Sequence, residues 1–221
     1  MVYYLSASGD GIDRYAEMDN GVMDVPREGY WRRIEYADPD SVHPSALQHN
    51  VSAREQGYWV KPETMPKQYL WANGGRPIPD VLPGFVVSSR FKDLVEDYEP
   101  GVHQLVPVEI YHSRGGEPVA TYYWLIVGQR LDSVDREHTT YILEHGIRDV
   151  WVDSRMDTKS WTFEKIPDAR LVFNNLQVVG HHIWHDPHVL SFNNGLCSDA
   201  FARELLANGL TGLAATPRES V

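Results

Sequence analysis

The run Thr121-Tyr-Tyr-Trp-Leu-Ile-Val127 constrains the fold of this chain more than any other feature. It is nearly continuous in apolar and aromatic residues, so it has no face to offer to water. It reads as the centre of a strand, Pro118–Leu131, that must be covered on both sides. The preceding segment Gln104–Tyr111 reads as its partner. His112-Ser113-Arg114-Gly115-Gly116-Glu117 between them reads as a hairpin loop.

A helix is expected just before this hairpin. Phe91, Leu94, Val95 and Tyr98 fall at i, i+3, i+4 and i+7 and share one face. Ser88 or Ser89 supplies the N-cap oxygen, and Glu99-Pro100-Gly101 ends the helix. Ser198, Phe201 and Leu205 repeat the spacing of Ser88, Phe91 and Val95, and Gly209 closes this second helix. Shorter strands are expected at Val2–Ser6, Phe85–Val87, Val150–Val152, Trp161–Ile166 and Leu171–Phe173. The chain returns as Leu210–Ala215 and frays over Thr216–Val221. The fold class is α+β: a mostly antiparallel mixed sheet centred on Pro118–Leu131, with two short capped helices packed on it.

Hydrophobic residues make up 42% of the 221 and aromatics 11%, enough for a substantial core. Residues 1–83 form an irregular N-terminal region, with Pro and Gly recurring between Asp38 and Pro83, and a separate subdomain is one reading of it. Trp31 and the aromatic segment Tyr30–Tyr36 lie within it, and Tyr58, Trp59, Tyr69, Leu70 and Trp71 anchor its later part to the core. Residues 84–221 form the better patterned α+β domain.

The charge balance is 20 basic against 31 acidic residues, a net −11. This disfavours nucleic acid and anionic membranes as partners and suits a basic one. The single cysteine, Cys197, leaves no intramolecular disulfide. The opening residues Met1–Asp10 lack a basic segment followed by an apolar one, which points to the cytoplasm. The sequon at Asn50 is then a chance match.

Four histidines and an aspartate crowd into His181–His188. Zinc is the chemistry this composition suggests. On a helix His181 and His185 could share an ion, but Pro187 would break that helix. On a strand the two lie ~13 Å apart at ~3.3 Å per residue, too far to chelate together. The plainer reading is a strand edge and loop, with a metal-dependent hydrolase built on His181, His185 and His188 as the alternative. Cys197 stands just before a helix N-terminus, which could activate a thiol, though it reads more simply as a small core residue. Asp93, Glu96, Asp97 and Glu99 read as an acidic outer face on the first helix, able to meet a basic partner. No Gly-x-Ser-x-Gly elbow or phosphate-binding loop is present in the sequence, and no cofactor is expected.

Several of these residues also carry a resemblance. Val87-Ser88-Ser89-Arg90-Phe91-Lys92-Asp93-Leu94, Glu99-Pro100-Gly101-Val102-His103-Gln104, Pro107-Val108-Glu109, Tyr122-Tyr123-Trp124, Gln129-Arg130-Leu131-Asp132 and Asp135 form a first block. Ile183-Trp184, Cys197-Ser198-Asp199-Ala200 and Gly209-Leu210-Thr211-Gly212-Leu213 form a looser second one. Together they resemble a bacterial family, formerly of unknown function, of immunity proteins from polymorphic toxin systems. The resemblance implies a non-enzymatic cytoplasmic protein that binds and neutralises a cognate toxin domain by occlusion. It implies no catalytic residues. An adaptor module unconnected with toxins is the third reading.

Overall fold

A computed structural model of the protein describes residues 1–7, 59–71, 76–145, 149–157, 162–189 and 195–221. The Tyr30–Tyr36 segment with Trp31, Tyr58 and the Asn50 sequon lie outside these residues.

In chain order the strands begin with β1 (Val2–Ala7), β2 (Gln68–Leu70), β3 (Val81–Leu82) and β4 (Val86–Val87). Helix α1 (Ser89–Tyr98) follows, then the hairpin β5 (Gln104–Tyr111) and β6 (Ala120–Ile126). Four short strands come next: β7 (Ile142–Glu144), β8 (Val150–Val152), β9 (Ser154–Asp157) and β10 (Thr162–Lys165). The chain closes with β11 (Ile183–Trp184), β12 (Leu196–Ser198), helix α2 (Asp199–Ala207) and β13 (Leu213–Arg218). The class is α+β.

Strand β6 sits in the middle of a five-stranded sheet of order β2-β5-β6-β4-β3, antiparallel except where β2 runs parallel to β5. The continuous apolar run works as expected. Tyr122, Trp124 and Ile126 face a core completed by Val106, Val108 and Ile110 of β5 and by Met65, Tyr69 and Trp71. Leu125 and Val127 face the opposite way, against both helices. Burying an apolar side chain of this size contributes roughly 1.5–3 kcal/mol, so a polar residue on either face of β6 is costly.

A second sheet, of order β11-β12-β1-β13, is antiparallel throughout. It places the first strand of the chain between two of the last. Strands β1, β2 and β3, all from the first 83 residues, thus pair with strands beyond Gly84. Phe91 and Val95 of α1 and Phe201, Ala202 and Leu205 of α2 share one core with residues of both sheets. The helices touch edge-to-face, Phe91 on Phe201 at 6.1 Å and Tyr98 on Phe201 at 5.3 Å between ring centroids.

The C-terminus departs from the fraying expected of it. Thr216, Pro217 and Arg218 pair with Tyr4, Tyr3 and Val2. Beyond them the Phe173 amide donates to Glu219 O, and the Val221 amide donates to Phe173 O. Backbone pairing continues after the apolar pattern stops, because β1 and Phe173 offer partners that side-chain periodicity does not reveal.

Candidate functional site

Helix α1 is the element that carries the expected acidic surface, and both its ends are tied down. At its start Ser88 Oγ accepts from the Phe91 amide at 3.3 Å, the cap the sequence called for. The same hydroxyl donates to the buried Asp80 carboxylate at 2.7 Å. Asp80 also accepts from the Thr211 amide at 2.9 Å and hydroxyl at 3.0 Å, and from Arg90 at 3.4 Å. The loop after α2 is thereby joined to the start of α1. Gly212 makes the approach possible: a Cβ there would lie 2.4 Å from Val81 O, and its φ is +78°.

At the other end the helix leaves its path at Glu99, with φ −140° and ψ 67°. Glu99 is only 6% exposed. Its placement on the outer acidic face is therefore corrected. The turn swings its carboxylate inward, where Oε1 accepts from the His182 amide at 2.8 Å and Oε2 from the Ile183 amide at 2.9 Å. His103 Nε2 lies 2.7 Å from the same Oε2. Because His103 Nδ1 accepts from the Gly128 amide at 3.2 Å, the ring proton sits on Nε2 and is donated to Glu99. Gly128 passes so close that a Cβ would meet Val102 O at 2.3 Å. Burial pushes the Glu99 carboxyl up, but the bonds from His103, His182 and Ile183 outweigh it and hold it below the ordinary carboxylate range.

Between these two clasps Asp93 and Asp97 stand exposed and Glu96 half-buried, one above another at i, i+3 and i+4. Lys92 reaches Asp93 at 3.4 Å and lies 5.6 Å from the centre of the Tyr123 ring. The last turn of α1 holds no basic residue. Asp97 therefore lies near the negative end of the helix dipole with nothing local to offset it.

The histidine segment divides its side chains among different neighbours. Ile183 and Trp184 form β11 at the edge of the four-stranded sheet. His182 Nδ1 lies 2.9 Å from Ser198 Oγ, with its ring edge-on to Tyr98. His188 Nδ1 donates to Asp149 O at 3.1 Å. His181 is half-buried, and His185 is buried with its amide donating to Gln129 O. Among the described residues no three His, Cys, Asp or Glu side chains are grouped to hold a metal ion. Cys197 is fully buried, and that burial, then the charge of Asp199, pushes its thiol up rather than down.

Two buried carboxylates had no structural role assigned from the sequence: Asp80, which was passed over, and Asp186, which entered only as the aspartate of the histidine segment. Asp186 Oδ2 accepts from the Ser133 amide at 2.6 Å and hydroxyl at 2.8 Å, and Oδ1 accepts from the His188 amide at 2.8 Å. Beside their local donors His188 and Ser88, they accept from Ser133 and Thr211, 53 and 131 residues away in sequence, and no local pattern marks those bonds.

Residues that carried the resemblance meet at the seam between the sheets. Glu99 bonds to Ile183, Gln129 O and the Leu131 amide bracket His185, and Thr211 reaches back to the Ser88 clasp. A family model, the immunity protein family Imm11, matches residues 39–218. The chain belongs to this immunity protein family. No curated protein matches it. The Imm11 match spans both clasps and both helices. It makes sense of the scaffold character of the shared residues, which cap, stop and bury rather than react.

Proposed function

We propose that this Imm11 protein protects its producer by binding a cognate toxin domain stoichiometrically in the cytoplasm and occluding it. Family membership supports an immunity role and a toxin partner in general. The finer reading rests on the outer face of α1. Asp93 stands there with Glu96 and Asp97, and these last two, in the final turn, are held against the preference of the helix dipole on an element clasped at both ends. Charge placed where it does not help the fold is a mark of a surface retained for another purpose. With a net charge of −11, such a face would steer a basic toxin domain to the protein and set its orientation.

The test is co-expression with the toxin encoded beside it, scored by survival and by the association rate of the purified pair. Replacing Asp93 and Asp97 together by Lys should slow association at least about tenfold and weaken its dependence on salt. Unchanged association and protection would place the contact surface elsewhere on the molecule.

A further inference from the structure

A cleft of about 410 Å³ opens on the side of the four-stranded sheet away from the helices. Its walls combine an apolar lining, including Leu171, Phe173 and Val189, with Tyr4, Tyr141 and Trp151. That volume is in the usual range for small-molecule or side-chain pockets.

The polar groups around it are mostly donors. Arg218 lies 5.4 Å over the Tyr4 ring, which fixes its guanidinium at the cleft. Among the described residues Arg218 takes part in no ion pair. The second arginine of the cleft, Arg170, is already neutralised, donating from Nε and Nη2 to Glu219 Oε2 at 2.8 and 2.5 Å. Among the described residues the Trp151 indole N–H, buried in the cleft wall, has no acceptor. An orphaned buried donor destabilises a fold, and each one calls for an explanation. Asp153 is close enough to Tyr141 to help burial raise its phenol, while Arg218 opposes that shift. Glu219 is the acidic side chain in the lining and is engaged by Arg170, which leaves Arg218 as the cation of the cleft without a carboxylate partner among the described residues.

We propose that this cleft is a binding site for a carboxylate carried on an apolar group, with Arg218 as the counter-ion and the half-buried Leu171 and Val189 receiving the apolar body. Arg218 offers a planar fork that matches a carboxylate. An amide of the same shape would leave the guanidinium unpaired.

The site is independent of the acidic face of α1, and it is tested on the full chain. The probes are 3-phenylpropionate, its amide, and the tripeptide Gly-Gly-Phe with a free or an amidated end. The readout is the Trp151 indole resonance, assigned with Trp151→Phe. Saturable binding is expected for the acids, at least about tenfold weaker for both amides and for Arg218→Gln. Arg136→Gln, which removes an exposed ion pair with Asp132, serves as the control and should bind as the parent does. Tighter binding of the tripeptide than of the small acid assigns the site to a polypeptide terminus. The reverse assigns it to a free small molecule. Equal binding of acid and amide, retention of affinity in Arg218→Gln, or an unmoved Trp151 resonance with every probe overturns the proposal.

Discussion

Glu99 and His103 meet at 2.7 Å inside the protein, the imidazole 0% and the carboxylate 6% exposed at their side chains. The pair closes α1 onto β11 and onto the end of β6 in one step. Cutting the Glu99 side chain back to Ala would strand the His103 N–H and the amides of His182 and Ile183 together. Glu99→Ala should therefore lower the unfolding free energy by about 3 kcal/mol. Urea denaturation measures it, and a loss under about 1 kcal/mol would mean that water replaces the carboxylate freely.

The same carboxylate has a pH signature. Its folded-state pKa lies below the ordinary 4.5, so the unfolded chain holds the proton more tightly. The stabilisation is complete above about pH 4.5 and disappears as pH falls through the lower folded value. Asp186 acts in the opposite sense. Burial raises its carboxyl above 3.8 despite the bonds from His188 and Ser133, so it opposes folding most at higher pH and is relieved as pH falls through its folded value. The stability gap between the parent and Glu99→Gln, followed from pH 7 downwards, should be widest near neutrality and close at acid pH. A gap that does not vary with pH would remove Glu99 from the acid limb.

Asp97 separates stability from recognition. It is exposed and near the C-terminal end of α1. Asp97→Lys should leave stability within about 0.5 kcal/mol of the parent or slightly above it, because the helix dipole favours a cation there. Protection against the toxin should nevertheless fall. Thermal melting and a survival assay on the same variant decide the matter, and full protection would take Asp97 out of the contact.

Gly212 is the tightest point of the N-terminal clasp. Its φ of +78° and the 2.4 Å approach to Val81 O leave no room for a methyl group. Gly212→Ala should cost on the order of 2 kcal/mol or more. A crystal structure of the variant should show Thr211 displaced from Asp80. A neutral substitution would show that the loop shifts without penalty.

Much of this architecture is local and was legible. Ser88 and Ser198 both cap helices by accepting from the amide three residues on, and that interaction depends only on spacing. Strand β5 runs from Gln104 to Tyr111 as expected, and the central strand proves shorter than the Pro118–Leu131 expected, at Ala120–Ile126. The two-residue strands β3, β4 and β11 carry too little pattern to fix their bounds. The apolar face of α1 was read correctly up to Tyr98, but the next residue was misplaced. A helical wheel sets Glu99 on the flank of the apolar face, four residues beyond the buried Val95, and the chain leaves the helix there and turns its carboxylate inward.

The sequence by itself determined the helices, the hairpin, the double burial of β6 and the family, because each follows from periodicity, capping or spaced residues within reach of one another. Only the tertiary structure decided that β1 lies between β12 and β13, that Asp80 and Thr211 bond across 131 residues, and that Glu99 faces inward. These depend on which distant backbone amides and hydroxyls arrive at a buried carboxylate. A charged side chain looks the same in sequence whether water or the protein will satisfy it.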